Sequence, residues 1–429
     1  MSDLAGAEAL RHRASSVLAR AWFQLAAGLF LAVLMPVLVR YEAYPGIPTP
    51  GSAWNTIFGV VLALAGGFYA LRQVTRFPGV RATSYVVPCF TATYGFALVA
   101  FFFLRLDYTR SLFLASFTIC VIWFFLAMML TRLRTRASFA VIPMGSVARL
   151  TEVESADFHD LAAPEFPARP VDALVADFHA DLPGKWEHFI ADWVLAGRPV
   201  YHVKHALETL TGRVDIEHLS ENSFGTLQPA PGYRKIKAGL DILVALLLLP
   251  AFALLTLVVG VAIALDSPGP IFFRQERVGY RGRVFRVYKF RTMAHVSHTG
   301  GDARQNAMTL NEDPRITRLG RFLRRSRIDE IPQLLNIVKG EMSWIGPRPE
   351  AKALSNWYEG ELPFYRYRHI VRPGITGWAQ VNQGHVVEMH DVLGKLHYDF
   401  YYIKYFSPWL DAFVAIRTVW IMLRGLGAR

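Results

Sequence analysis

The 429-residue chain contains only two cysteines, Cys89 and Cys120, and both lie inside apolar stretches. A disulfide framework is therefore excluded, and the soluble parts suit a reducing compartment. Acidic residues are also scarce, 34 against 46 lysines and arginines, which gives a formal net charge of +12. Such an excess indicates anionic partners, namely lipid headgroups or phosphorylated substrates. Nucleic acid is disfavoured, because 53% of the residues are hydrophobic and much of the chain must lie in lipid.

Long apolar runs dominate the first 136 residues. A basic segment precedes the first run and no A-x-A-like site follows it, so we expect a retained signal anchor and not a cleaved signal peptide. The runs approach the roughly 20 residues that a spanning helix needs. They are Ala21–Val39, Thr56–Leu71, Tyr85–Leu104 and Ser111–Leu130. Four buried helices of a soluble protein are the alternative, and the lack of charge in the runs disfavours it.

Arginines are concentrated on two connections, which orients the predicted bundle. They are Arg72, Arg76 and Arg81 after the second run, and Arg132, Arg134 and Arg136 after the fourth. By the positive-inside rule, these connections, the N-terminus and everything after Arg132 are cytoplasmic.

Residues 137–231 alternate short hydrophobic patches with segments that could be helical, Trp186–Leu195 and His202–Leu210. This alternation predicts a small α/β domain of structural or regulatory role. The chain has no G-x-G-x-x-G motif, so we expect no bound dinucleotide. Tyr201, His202 and His205 could suggest a ligand site, but we interpret the histidines as satisfied surface residues.

A fifth apolar run occupies residues 239–265 and is also long enough to span. Lysines and arginines flank it on both sides, and Pro250 near its centre removes a helical hydrogen bond. These features predict a re-entrant helix that breaks at Pro250 and leaves the membrane on the face where it entered. A true fifth span is the alternative, and it would place the arginine-rich block that follows outside the cell.

That block contains an adjacent acidic pair, Asp329 and Glu330. It is surrounded by arginines at positions 321, 324, 325, 327 and 348. Nearby positive charge depresses the pKa of carboxylates, so we expect both to be ionised. Arginine also matches phosphate oxygens, and the cations would screen a carboxylate nucleophile from a phosphoanhydride. A surface helix with a solvated charged face is the alternative for such a pair.

Three further segments have patterns that predict local structure. Alternation predicts a strand over Val284–Phe290, with Lys289 and Arg291 on one side. Residues 294–313 are expected to form a mobile loop without zinc, because no cysteine lies near its histidines. The apolar tail Pro408–Leu423 fits either an interfacial helix or a core helix.

Three separated motifs carry a resemblance to a known family. They are YKFRTM from Tyr288, RRSRIDEIPQLLNIVKGEMSWIGPRPE from Arg324, and VRPGITGWAQVN from Val371. Together they resemble the bacterial sugar transferases, monotopic phosphoglycosyl transferases similar to undecaprenyl-phosphate glucose or galactose phosphotransferases. The resemblance covers about the last two hundred residues.

The resemblance implies transfer of hexose-1-phosphate from a UDP-hexose to polyprenyl (undecaprenyl) phosphate, with release of UMP. Glucose or galactose is the expected hexose, and an acetamido sugar is the alternative. It implies that Asp329 forms an aspartyl phosphosugar and that Glu330 assists, with both near Mg²⁺. Substrate contacts are implied for Lys289, Arg291, Arg324, Arg348, Arg372 and Gln380. The product would initiate exopolysaccharide, capsule or O-antigen synthesis. A UDP-releasing membrane glycosyltransferase and a non-catalytic scaffold or regulator of polysaccharide assembly are the alternatives.

The expected architecture has three parts. Residues 1–136 form a membrane bundle of four helices, residues 137–231 a small cytoplasmic α/β domain, Rossmann-like by the resemblance, and residues 232–429 a mixed, mainly helical catalytic domain with the re-entrant helix. The expected location is the bacterial inner membrane, with the catalytic domain on the cytoplasmic face. A homodimer is compatible with the sequence.

Overall fold

The computed structural model describes residues 20–43, 50–75, 82–132, 137–216, 229, 231–294, 315–383 and 389–423. The chain divides into two compact units, Met1–Gly212 and Arg213–Arg429. The first unit contains apolar helices and a small sheet, and the second contains a long apolar helix and a mixed α/β region. Apart from Ala294, the predicted mobile loop lies outside the described residues.

The N-terminal region is helical, as the apolar runs predict. Its helices are α1 (Ala21–Leu29), which continues through a π-helical turn (Phe30–Leu34) into α2 (Met35–Ala43), then α3 (Pro50–Val74), α4 (Ala82–Phe103) and α5 (Arg110–Arg132). Four segments here are long and apolar enough to cross a membrane: Ala21–Arg40, Gly51–Val74, Thr83–Phe103 and Arg110–Thr131.

Aromatic packing joins these helices. Phe90 of α4 stacks on Phe124 of α5 with ring centroids 4.8 Å apart. Gly67 of α3 admits this ring, because a Cβ atom at that position would lie 2.4 Å from Phe90. The opposite surface carries exposed rings such as Phe96 and Phe102, which suit contact with lipid and not with water.

The middle domain follows α5 and is built on a four-stranded parallel sheet. Its strands are β1 (Ala137–Val141), β2 (Ala156–Asp160), β3 (Ala173–Ala176) and β4 (Val200–His202), and its helices are α6 (Gly184–Leu195) and α7 (Val203–Thr211). The strand order is β2-β1-β3-β4. Ala140, Leu174 and Trp193 are fully buried in one core cluster between the sheet and α6. The predicted α/β domain and both of its predicted helices are therefore confirmed.

Helix α8 (Pro231–Asp266) belongs to the second unit and includes the whole fifth apolar run. The predicted break at Pro250 is wrong, because one helix of 36 residues continues through it. A proline removes a single helical hydrogen bond, and packing on both sides of it maintains the helix. Ala245 and Phe252 lie in one core cluster with Phe285, and Val259 lies in a second cluster with Phe290. The opposite face carries exposed leucines, including Leu247 with 71% of its surface accessible.

The rest of the second unit surrounds one face of α8. Its elements are β5 (Phe272–Val278), β6 (Val284–Phe290), α9 (Arg318–Arg325), α10 (Leu334–Val338), β7 (Ser343–Ile345), α11 (Lys352–Glu361), β8 (Gly374–Thr376), α12 (Trp378–Asn382), α13 (Met389–Lys404) and α14 (Pro408–Leu423). Strands β5 and β6 form an antiparallel hairpin, and β7 pairs with β8 in parallel. The predicted strand at residues 284–290 is confirmed. In the C-terminal helix, Leu410 and Phe413 are buried whereas Trp420 is exposed, so its first half is a core helix.

Candidate active site

The acidic pair lies on a short 3₁₀ helix, Ile328–Gln333, between α9 and α10. Arg327 separates this helix from α9 and adopts a left-handed conformation with φ of 58°. Non-glycine residues rarely adopt this conformation, and it turns the chain sharply. Both carboxylates are consequently directed into the protein, with 8% of Asp329 and 6% of Glu330 accessible. Such burial excludes the solvated charged surface that was the alternative for this pair.

Glu330 is the centre of an ion-pair cluster. Its Oε1 atom accepts from Nζ of Lys289 at 2.9 Å and from Nη2 of Arg348 at 2.6 Å, and Nη1 of Arg327 lies 3.7 Å away. Burial alone would raise the pKa of Glu330, but the charges of these cations outweigh burial and hold its pKa well below the usual value. Glu330 is therefore a permanent anion that fixes Lys289 and Arg348 in place.

Asp329 has a different environment. Its Oδ1 atom is buried and has no hydrogen-bond partner. Burial and the adjacent charge of Glu330 raise the pKa of Asp329, and the opposing charges of Lys289, Arg324 and Arg327 do not offset them. The expectation that the cations lower both carboxyl pKa values is thus wrong for Asp329, because burial and the charge of Glu330 outweigh the cations. A desolvated carboxylate oxygen without a partner is poised to form a new bond.

Glycines allow the turn Gly346-Pro347-Arg348-Pro349 to pack closely against β8. A Cβ atom on Gly374 would lie 2.1 Å from the backbone nitrogen of Gly346, and one on Gly377 would lie 2.2 Å from the carbonyl oxygen of Gly346. Only glycine, which has no Cβ atom, allows the two backbone segments to approach this closely. The approach is held by hydrogen bonds from Gly346 N to Thr376 O (2.9 Å) and from Gly374 N to Pro347 O (3.0 Å).

A buried polar network supports the same turn from behind. Arg368 donates from Nη2 to the carbonyl of Arg348 at 2.9 Å and forms an ion pair with Asp399 at 2.8 Å. Arg277 donates to the carbonyl of Pro349. Sequence reasoning missed all three of these residues. Asp399 lies in an aromatic-rich helix, where a lone acid facing the core was the one available signal.

The implied substrate contacts Arg324 and Arg291 have different positions. Arg324 donates from Nε to the hydroxyl of Thr292 at 2.9 Å, and its charge acts on Asp329, so it belongs to the site. Arg291 instead donates to the carbonyls of Pro268 (2.8 Å) and Ser267, at the C-terminal end of α8. Strand β6 ends at Phe290, so strand alternation no longer governs the direction of Arg291. The structure therefore does not bring Arg291 to the acidic pair.

Arg372 and Gln380 lie in the segment that packs against the Arg348 turn. Arg372 is beside Gly340, and its charge acts on Asp241 of α8. Gln380 donates from Nε2 to the carbonyl of Ile375 at 3.1 Å, while its buried Oε1 atom has no partner. The charge of Arg372 thus acts on the N-terminal part of α8, where Asp241 lies. The Oε1 atom of Gln380 remains an acceptor that a ligand could use.

The donor set fits a magnesium ion through Asp329. Mg²⁺ prefers oxygen ligands and is commonly bound by one or two carboxylates together with substrate phosphates. The unpartnered Oδ1 atom of Asp329 meets this requirement. Glu330 fits less well, because Lys289 and Arg348 already occupy its Oε1 atom.

Comparisons with known proteins agree with this geometry. Residues 232–425 match the profile of the family described as bacterial sugar transferase. A protein of Aeromonas hydrophila, named UDP-N-acetylgalactosamine-undecaprenyl-phosphate N-acetylgalactosaminephosphotransferase, is 41% identical over 408 residues, which cover 94% of each chain. The chain belongs to the bacterial sugar transferase family.

Other relatives of this bacterial sugar transferase align over less than half of the chain. A UDP-glucose:undecaprenyl-phosphate glucose-1-phosphate transferase of Xanthomonas campestris pv. campestris is 44% identical over 185 residues, or 42% of this chain and 37% of the relative. A UDP-galactose-lipid carrier transferase of Erwinia amylovora is 36% identical over 210 residues, or 46% of this chain and 42% of the relative. The chain thus spans less than half the length of these two relatives.

Proposed function

We propose that this bacterial sugar transferase moves a sugar-1-phosphate from a UDP-sugar to undecaprenyl phosphate and releases UMP. The observation that carries the proposal is the buried, unpartnered Oδ1 atom of Asp329 beside a Glu330 that three cations surround. The names of the relatives describe the same reaction class. The lipid-linked sugar would initiate assembly of an exopolysaccharide, capsule or O-antigen.

The reaction proceeds in two displacements at phosphorus. The Asp329 carboxylate attacks the β-phosphorus, the bond to the bridging oxygen breaks, and UMP leaves with the electron pair. An oxygen of the lipid phosphate then attacks the aspartyl phosphosugar, and the Asp329 carboxylate is regenerated as the leaving group. No net proton transfer is needed in either step, since anions enter and leave. Glu330 therefore serves to hold cations in place and is not needed as a base.

The positive side chains stabilise the charge that develops at phosphorus. Lys289 and Arg348 each approach Glu330 within 3 Å, and the charge of Arg324 acts on Asp329. Donors fixed before the substrate arrives need little reorganisation in the transition state. Mg²⁺, held by Asp329 together with the diphosphate, would neutralise part of the substrate charge.

The membrane arrangement belongs to the same proposal. The N-terminal helices would form four spans with the Rossmann-like middle domain and the catalytic region on the cytoplasmic side of the inner membrane. Helix α8 would stay on one face of the membrane and lie in the interface, because a helix that is unbroken at Pro250 cannot enter the bilayer and leave on the same side. Residues before and after Pro250, such as Ala245 and Ile263, pack on the same catalytic unit, which supports a helix that lies along the domain with its leucine face in lipid.

The donor sugar belongs to one of two candidate classes, an acetamido sugar or a simple hexose. The relative that aligns over almost the whole chain is named for N-acetylgalactosamine, which favours an acetamido sugar. Relatives that align over less than half of the chain are named for glucose or galactose. The name of the whole-length relative carries more weight, because its alignment with this chain includes the N-terminal unit.

The test is nucleotide release by membranes containing the protein, supplied with undecaprenyl phosphate, Mg²⁺ and a panel of UDP-sugars. We expect UMP with one sugar, and no UMP from Asp329→Asn membranes. UDP in place of UMP would indicate an ordinary glycosyltransferase. No nucleotide release with any sugar would favour the scaffold.

A further inference from the structure

The middle domain has a polar cluster at the edge of its sheet where ligands commonly bind. From β1 the chain proceeds to β2 on one side, and then crosses to β3 on the other side of β1. Connections leave β1 and β3 in opposite directions, which opens a crevice beyond their carboxyl ends. Asp177 and His179 follow β3, and His202 ends neighbouring β4. We call these three residues the Asp177 cluster.

The ligand atoms of the Asp177 cluster form a compact triangle. Nδ1 of His179 lies 2.9 Å from Nε2 of His202, and Oδ1 of Asp177 lies 3.7 Å from the former and 3.4 Å from the latter. A tetrahedral zinc ion with bonds of about 2.0–2.1 Å separates its ligand atoms by roughly 3.3–3.4 Å. The three observed distances bracket that value, so one ion fits with small adjustments of the side chains.

A second layer of contacts orients the carboxylate. Oδ2 of Asp177 accepts from the backbone nitrogen of Ser146 at 2.9 Å and from its hydroxyl at 2.6 Å. Gly145, with φ of 74°, permits this approach, since a Cβ atom there would lie 2.5 Å from Oδ2. Burial alone would raise the pKa of Asp177, but these hydrogen bonds outweigh it and bring the pKa to about 2. Oδ1 remains directed at the two imidazoles, as in metal sites with oriented ligands.

The donor types select the kind of ion. Two imidazole nitrogens with one carboxylate oxygen suit Zn²⁺ and neighbouring transition metals, whereas Mg²⁺ requires oxygen ligands. Nδ1 of His202 accepts from the backbone nitrogen of Lys204 at 3.0 Å, so its proton resides on Nε2 and is shared with His179. Ligation through Nε2 moves that proton to Nδ1 and ends the Lys204 hydrogen bond. Because metal binding breaks this hydrogen bond, we expect weak binding and an exchangeable ion. A permanent structural zinc ion would not be expected at such a site.

We propose that the middle domain binds one exchangeable transition-metal dication, with Zn²⁺ as the best fit, through Asp177, His179 and His202. Three protein ligands leave a fourth position for water or an anionic ligand in the crevice. The sequence interpretation of His202 as a satisfied surface histidine is revised by this proposal, because its partners come from a separate strand. The site is independent of the acidic pair and of the transfer reaction.

The test is calorimetric titration of Zn²⁺ into the full-length protein in lipid nanodiscs, with excess Mg²⁺ present to compete at the acidic pair. The variants are His179→Ala and, as a matched control, His159→Ala. Both histidines are exposed in the middle domain, and the His179 side chain is 72% accessible, so neither change threatens the fold. Co²⁺ absorption reports the geometry of the bound ion on the same samples.

We expect one Zn²⁺ per chain in the wild type and in His159→Ala, and at least a tenfold weaker site in His179→Ala. We also expect a tetrahedral Co²⁺ spectrum that His179→Ala removes. Equal binding by all three proteins, or an octahedral spectrum throughout, would overturn the proposal. Loss of the ion only in an Asp329→Asn variant would do the same, since it would assign the binding to the acidic pair.

Discussion

Replacing Asp329 by asparagine should abolish activity and at the same time stabilise the protein. The folded pKa of Asp329 lies above its unfolded value of 3.8, so the folded state holds the proton more tightly than the unfolded state. Ionisation at neutral pH therefore costs folding free energy, about 1.4 kcal/mol for each unit of upward shift. Asparagine has a similar shape and cannot ionise, so this cost disappears.

The expected change is measurable. In a folded domain of about 200 residues, 1 kcal/mol of stability corresponds to about 2–4 °C in melting temperature. Asp329→Asn should therefore melt about 3–6 °C higher than the wild type for each pKa unit by which the Asp329 pKa is raised. UMP release should fall by about 10⁴-fold, because an amide is not a nucleophile. The assays are thermal unfolding in detergent, followed by tryptophan fluorescence, and nucleotide release from the same preparation.

Glu330→Gln is the matched control. It removes the charge that pairs with Lys289 and Arg348, and breaking a buried pair costs about 3–5 kcal/mol. This variant should melt lower than the wild type, although it lies next to Asp329 and has the same change of charge. A lower melting temperature for Asp329→Asn as well would refute the reasoning, because it would mean that Asp329 is a paired structural carboxylate.

Three other predictions follow from the site. The acid limb of kcat/KM against pH should lie above 3.8, where Asp329 titrates, and should shift to lower pH in Glu330→Gln, because the charge of Glu330 raises the Asp329 pKa; an unchanged limb would contradict this. Gly374→Ala places a Cβ atom 2.1 Å from a backbone nitrogen and should cost about 3 kcal/mol by thermal unfolding, whereas Gly232→Ala, in the first turn of α8 with open space around it, should not destabilise the protein. Arg291→Ala should lower stability by about 2–3 kcal/mol through lost hydrogen bonds to the end of α8, yet leave the KM for the UDP-sugar unchanged; a raised KM would restore Arg291 as a substrate contact.

The sequence predicted the elements with strong periodicity or long apolar runs. The N-terminal helices and strand β6 follow directly from such patterns. At Pro250 the local propensity favours a break in the helix, whereas the packing of α8 on the catalytic unit maintains it. Tertiary contacts thus decided the outcome, and no local pattern reports them.

The sequence predicted most of the residues that form the candidate site, but it did not predict the different roles of Asp329 and Glu330. The motif placed Asp329 and Glu330 among cations, and the structure shows that one of them takes the ion pairs while the other keeps an unpartnered oxygen. That asymmetry depends on the left-handed turn at Arg327 and on Lys289, 41 positions away from Glu330. Arg368, which supports the Arg348 turn from 20 positions further along the chain, had no sequence signal.

The central claim is that Asp329 forms a covalent phosphosugar before the lipid substrate reacts. The most direct measurement is to mix purified protein with a slight excess of the UDP-sugar and Mg²⁺ in the absence of undecaprenyl phosphate, and then to analyse UMP and the digested protein by mass spectrometry. We predict one UMP per chain and a phosphosugar adduct on the peptide that contains Asp329. UMP that forms only after the lipid acceptor is added, with no adduct on the protein, would contradict the account.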